Sequence, residues 1–345
     1  MTPPRQRPAD IWTRLGELAG EATDNIRLQH VVSQAILREF TDVWPGRPGQ
    51  LLASMNLDFP AAPARAAGTS RSGYVPDFLR YASKSAELLW QRTENQLPAA
   101  IRAAADRSLF RYPDLAQVIR DAIALHFVRS HQTLTMHEDA WTAVRGQARV
   151  QWLDNEQMLE WAFYKRYGLY APPRGRQALE AMADELLRPM DALFDSGALL
   201  RVRIEDLFAE ARRFANDAGL EIARPAAGEF LIGDTPALAV RFDREGIGPT
   251  GGVALGDAHR IVLPLAPGLI ASLGPKDDFG VIPEQLVDEL NDLQVRAAQR
   301  HVYFRPGSRL DDAVRRAARR RADERGRSVP SPTATPQASH TAARD

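Results

Sequence analysis

The chain has 345 residues, 44% of them apolar, with 44 Lys plus Arg balanced by 44 Asp plus Glu. That supports one large domain or two modest ones around a sizeable core, and zero formal net charge excludes a global attraction to nucleic acid or an anionic membrane. There is no cysteine, which excludes disulfides, thiolate nucleophiles and cysteine-ligated zinc. Of the basic residues only Lys84, Lys165 and Lys276 are lysine, a compositional bias rather than a sign of arginine-specific binding. The opening MTPPRQRPADIW lacks an apolar core of signal-peptide length, and the longest apolar stretch, 261–273, is too short to span a bilayer and holds Pro264 and Pro267. A soluble cytoplasmic protein is the expectation, with no membrane partner.

Residues 1–22 read as a flexible arm, with 1–10 rich in Pro and Arg. Thr23–Phe40 reads as a first helical region, with Ser33 as N-cap for QAILREF. Residues 45–73 read mostly as loop, with LLASMNLDF as one short strand. YVPDFLRY at 74–81 echoes HVVSQAILREF at 30–40, an echo read as coincidence. From about Tyr74 to Asn216 the period is helical. Apolar residues at 115, 118, 119, 122, 123, 125 and 127 give a buried helix, and Pro189 bends or ends another. IEDLFAEARRFANDAG follows, with Gly219 expected as its C-cap.

Beyond Gly219 the period changes. LEIARP, EFLIG, ALAVRF, RIVLPL and LIASL are short apolar runs bounded by Gly, Pro and Asp, and read as strands. Residues 283–300 form a helix with Pro at its start, and HVYF is a last strand. The glycine-rich stretch 246–257 lacks the Lys-Ser/Thr of a phosphate loop and precedes a strand, so it reads as a long hairpin connection. Residues 307–327 hold an Arg-rich helix and 328–345 a disordered tail. The fold class is α+β: a mostly helical N-terminal two-thirds packed against a small C-terminal antiparallel or mixed sheet. Residues 23–306 form a single domain, helical over 23–216 and sheet plus one helix over 217–306.

The ordered features resemble the bacterial family called domain of unknown function 4238. Its opening run is like HHYVPQFYLRNF. Here His30, Val32, Gln34, Leu37, Arg38 and Phe40 fit, while Gln29 stands for the first His and Ser33 for the Pro. Glu87, Trp90 and Glu94 resemble the family's helix of spaced glutamates, and the run 124–130, ending near Arg129, resembles its next helix. Gly233-Asp234-Thr235-Pro236, Pro264-Leu265-Ala266-Pro267 and Asn291 leading to His301-Val302-Tyr303 complete the set. The resemblance spans about 25–306. It implies a bacterial, soluble, intracellular protein and supplies no activity, cofactor or partner.

Each candidate residue has two readings. His30 with Gln34 sets an imidazole beside an orienting amide, as a general base requires, or merely fixes the chain entering a helix. Asp234 before Thr235-Pro236 ligates a metal or orients a histidine, or stabilises a turn through its own backbone. Glu87 and Glu94, two helical turns apart, share a face that suits Mg or Mn, or pair with arginines such as Arg80 or Arg92. His126, His131 and His137 are spaced by five and six, which does not suit a zinc helix, so His126 reads as a satisfied core histidine. Arg129 holds an anion or forms a structural ion pair. No GxSxG or HExxH is present.

Three function classes stand. The first is an enzyme of hydrolytic or nuclease-like type, with His30, Gln34, Glu94, Arg129 and Asp234 converging on one cleft; its cofactor and metal are unassigned. The second is a binding or regulatory protein touching nucleic acid through residues 309–327, where four acids dilute eight arginines and favour a solvated helix instead. In the third, every motif residue is a turn, cap or ion pair.

Overall fold

The computed structural model describes residues 8–171, 175–243, 246–249 and 259–327. Within the segment expected to be a flexible arm, Pro8–Leu18 is a helix, α1. Its Leu15 is buried with Ala198 and Val202, and Arg14 pairs with Glu205 and Asp206. An apolar contact and two ion pairs to a distant helix order the segment, which local composition does not reveal.

The next stretch departs from the expected helix. Leu28–His30 is a strand, β1, and only Gln34–Glu39 is helical, α2. The cause is tertiary: β1 pairs antiparallel with residues 74–76, with His30 opposite Tyr74. The run that echoes this motif is therefore its strand partner. Asp42–Val43 (β2), Gln50–Asn56 (β3), Arg65–Ala67 (β4) and Tyr74–Pro76 (β5) follow.

The helical period then becomes Ser83–Ala105 (α3), Pro113–Val128 (α4), His131–Leu153 (α5), Glu156–Tyr167 (α6), Arg176–Asp195 (α7) and Ala198–Asp217 (α8). Pro189 lies inside α7, which continues past it. Helices α3, α4 and α8 build the main core with Trp90, Leu97, Ile119, Ile123, Ile204 and Phe208. Helices α5 to α7 bury a satellite cluster around Leu159, Met182 and Ala183.

Gly219 is not a C-cap. Ala218 already has extended geometry, and Gly219 opens strand β6, Gly219–Pro225. A Cβ there would lie 2.3 Å from backbone atoms of Lys276, so the glycine serves a close backbone approach. Ile232–Gly233 (β7), Leu238–Asp243 (β8), Gly246–Pro249 (β9), Arg260–Ala266 (β10), Leu269–Gly274 (β11), Asp278–Ile282 (β12), Glu284–Ala297 (α9), His301–Phe304 (β13) and Asp311–Arg327 (α10) complete the order. The expected hairpin connection at 246–257 contributes β9, paired with β8; the rest of it, and the expected disordered tail 328–345, lie outside the described residues.

The strands form a six-stranded sheet in the order β12-β6-β11-β10-β8-β9, antiparallel except for β6–β12. A second sheet runs β2-β3-β13-β7 with β4 on β3, and β1–β5 is a separate pair. In β10, Ile261, Leu263 and Leu265 join the main helical core while Val262 joins a cluster beneath α9. Both faces of that strand are covered, which explains its unbroken apolar run. The α10 helix lays Val314, Ala317 and Ala318 into a third cluster with Met55 and Phe304. The fold is α+β. Among the described residues no helix is long and apolar enough to cross a membrane.

Two glycine substitutions should separate tight from open positions. Gly219→Ala drives a Cβ into backbone and should cost about 1–3 kcal/mol. Gly146→Ala, inside α5 with nothing within 4 Å of a new Cβ, should stabilise by about 0.5–1 kcal/mol. Urea unfolding of both variants, giving shifts of opposite sign, checks this.

Candidate functional site

The chain between His30 and Gln34 turns from β1 into α2, and all three intervening N–H groups are anchored. Val31 and Val32 donate to the Gly73 carbonyl at 2.8 and 3.0 Å. Ser33 donates to Nε2 of His126 at 3.0 Å. Gly73 holds this place because its φ is +65° and because a Cβ would lie 2.9 Å from Cβ of Val32. Its own N–H donates to the Tyr303 hydroxyl at 2.8 Å.

Ser33 sits at the N-cap position of α2, as its sequence suggests, yet its side chain does not cap the helix. The hydroxyl instead supports the Glu94 carboxylate. His126 is fully buried, and its Nδ1 meets the Ala122 carbonyl at 2.7 Å. A carbonyl only accepts, so Nδ1 carries the proton and Nε2 is left as the acceptor for Ser33. Burial, followed by the charge of Arg129, pushes the His126 pKa down to about 4.

Arg129 closes α4 and is 1% exposed. Its Nη2 donates to Glu94 at 2.5 Å, and its Nη1 lies 3.7 Å from Glu87. Its guanidinium carbon stands 5.4 Å over the Trp90 ring, whose indole N–H donates to Glu87 at 2.9 Å. Neither Nε nor Nη1 has a hydrogen-bond acceptor among the described residues. The two glutamates, seven residues apart on α3, diverge in acidity. Burial raises Glu87 despite Arg129. Burial also opposes ionisation of Glu94, but Arg129 and Ser33 outweigh it, and Glu94 lies below the usual carboxylate range.

His30 is half-buried at the edge of this cluster. Its Nε2 lies 3.1 Å from the Gln34 amide nitrogen, and the Gln34 oxygen accepts from Arg38 at 3.4 Å. That orientation makes His30 Nε2 the acceptor. The Tyr74 ring packs edge-on, 6.4 Å away. Burial, then the charge of Arg129, lowers the His30 pKa, so the ring is neutral at pH 7.

His30 bonds Gln34, Arg129 bonds Glu94, and the charges of Arg129 and Glu94 both act on His30. Asp234 is placed differently. Its carboxylate accepts from the backbone N–H groups of Gln299, Arg300 and His301 at 2.6, 2.8 and 2.9 Å, so the turn from α9 into β13 wraps around it. It reaches the other four through Tyr303 and Gly73; among the described residues no hydrogen bond or ion pair joins its carboxylate to them. Asn291 bridges Leu231 N–H and the Glu229 carbonyl, and Gln294 does the same for Gly233 N–H and the Pro236 carbonyl. The sequence reading assigns no role to Gln294, Gly73 or the Ser33–His126 bond, and names Tyr303 only as part of a motif. The two amides three apart on one face of α9 were the available signal. No group of three or more metal-ligating side chains is assembled among the described residues.

Residues 28–308 match the family described as "Protein of unknown function (DUF4238)". The chain belongs to this family. The match begins at β1 and ends just past β13, so the DUF4238 region contains the whole cluster. No curated protein and no solved structure matches the chain.

Asp234→Ala should orphan three backbone donors and destabilise the protein by about 3 kcal/mol in denaturant titration. His126 predicts a pH dependence. Above pH 6.5 it is neutral folded and unfolded and contributes no slope. As pH falls from 6.5 to about 4 the unfolded chain binds a proton that the folded chain does not, so stability is lost. The loss should reach about 3 kcal/mol. Urea unfolding across that window should show a slope about one proton smaller in His126→Gln.

Proposed function

We propose that this protein is an enzyme of hydrolytic, nuclease-like type, working at the polar cluster edged by His30. The observation that carries the reading is the half-buried His30 imidazole, whose Nε2 faces the Gln34 amide at 3.1 Å and whose pKa is lowered by burial and then by Arg129, a buried cation with Nε and Nη1 lacking acceptors among the described residues. A neutral imidazole accepts a proton from water or a hydroxyl, provided the substrate displaces the Gln34 amide from Nε2. Gln34, drawn toward Arg38, orients the ring. Arg129 lowers the proton affinity of His30 and supplies positive potential where an anionic transition state develops. Glu94 holds Arg129 in place, and Asp234 braces the turn that presents His301 and Tyr303. A bacterial, cytoplasmic setting belongs to the same proposal and rests on the family resemblance.

The test is hydrolysis of RNA, single-stranded DNA and a nitrophenyl phosphodiester by the purified protein, with His30→Ala as comparison. One substrate should be turned over, and His30→Ala should lose at least ~10²-fold while keeping its circular dichroism. Undiminished turnover by folded His30→Ala, or none by the unaltered protein, removes the reading.

A further inference from the structure

We propose that His126 is a positioning residue that sets the His30–Gln34 pair; its functional consequence rests on the acid–base reading of that polar cluster. His30 and Gln34 are separated by three residues whose N–H groups are all committed. Two go to one carbonyl, that of Gly73, and the third goes to the His126 ring, from a helix 93 residues away. Gln34 follows directly on the N–H that His126 holds, so the path of the backbone at Ser33 decides where the Gln34 amide begins. The ring is itself locked by Ala122, one helical turn back, which fixes the tautomer that can accept.

The surroundings fit this role. The charged groups facing His126 are Glu94 from α3 and Arg129 from its own helix, and both also act on His30. The ring is buried beyond reach of solvent, and its hydrogen bonds among the described residues run to Ser33 and Ala122. Freeing the Ser33 N–H removes one of the three backbone hydrogen bonds that fix the turn between His30 and Gln34, while the two to Gly73, the Ser33 hydroxyl on Glu94 and the buried face of α2 remain. A loosened turn lets His30 gain water and draw away from Arg129, and both changes ease its protonation.

Side-chain lengths allow a clean test. His126→Asn keeps a donor for Ala122 but cannot reach Ser33. His126→Gln extends an oxygen to where Nε2 stood. Ser33→Pro deletes the donor, and its φ of −56° already suits proline. Ser33→Ala removes only the hydroxyl. The reading is the His30 titration midpoint from histidine ring resonances in the full chain, with no substrate present.

In His126→Asn and Ser33→Pro the midpoint should rise by about half a unit or more; in His126→Gln it should stay near the unaltered value, and in Ser33→Ala, which loses only the hydroxyl on Glu94, it should not rise. A folded His126→Asn or Ser33→Pro with an unmoved midpoint overturns the proposal, as does a His126→Gln that shifts as far as His126→Asn. If the variants fail to fold, amide exchange in the unaltered protein decides. A Ser33 N–H that exchanges as slowly as core helix amides supports the proposal, and one that exchanges as fast as open loops defeats it. None of these readings needs turnover, so failure of the hydrolytic reading is told apart from failure of this one.

Discussion

The peptide group of Gly73 is the joint on which the two halves of the molecule meet. Its N–H is taken by Tyr303, a residue of the C-terminal strand β13, and its carbonyl takes two N–H groups from the start of the family motif. The joint requires a positive φ and leaves no room for a Cβ, so it is tied to glycine twice over. Tyr303 is 4% exposed, and its hydroxyl must find a partner at that depth. Strand pairing between His301–Phe304 and Ala53–Asn56 brings it there. The N-terminal motif and the C-terminal motif are thus two sides of one hydrogen-bonded arrangement.

Beside that joint lies a charge arrangement with little net charge. One buried guanidinium faces two carboxylates and is closer to Glu94 than to Glu87. Distance separates the two acids: Arg129 and Ser33 hold Glu94 below the usual carboxylate range, while burial raises Glu87 despite the more distant Arg129 and the indole N–H. Burial first, and then the charge of Arg129, lowers the proton affinity of both neighbouring imidazoles.

Much of this was legible in the sequence, and the failures share a cause. The helices from Ser83 to Asp217 and the strands after Gly219 follow from periodicity, because each buries a face whose spacing the chain writes locally. Where partners are distant, local pattern misleads. Residues 28–30 are extended because Tyr74–Pro76 pairs with them. Helix α1 is ordered by Arg14 meeting acids nearly two hundred residues on. Ser33 looked like a helix cap, yet its hydroxyl serves Glu94 and its N–H serves His126. Asp234 organises a turn, but one made by residues 299–301 instead of its own neighbours.

The amide side chains of Asn291 and Gln294 have a further effect. β7 is the last strand of its sheet, with β13 on one side. Along residues 229–236, Asn291 and Gln294 occupy two donors and two acceptors that a neighbouring strand would otherwise use. A helix thereby imitates a strand, and the sheet edge is closed with side chains instead of backbone. An open edge invites another chain to add itself, the first step toward ordered aggregates. Here α9 blocks that growth while keeping the Asp234 turn in place, so one helix guards the sheet against self-association and carries the chain into the strand that reaches Gly73.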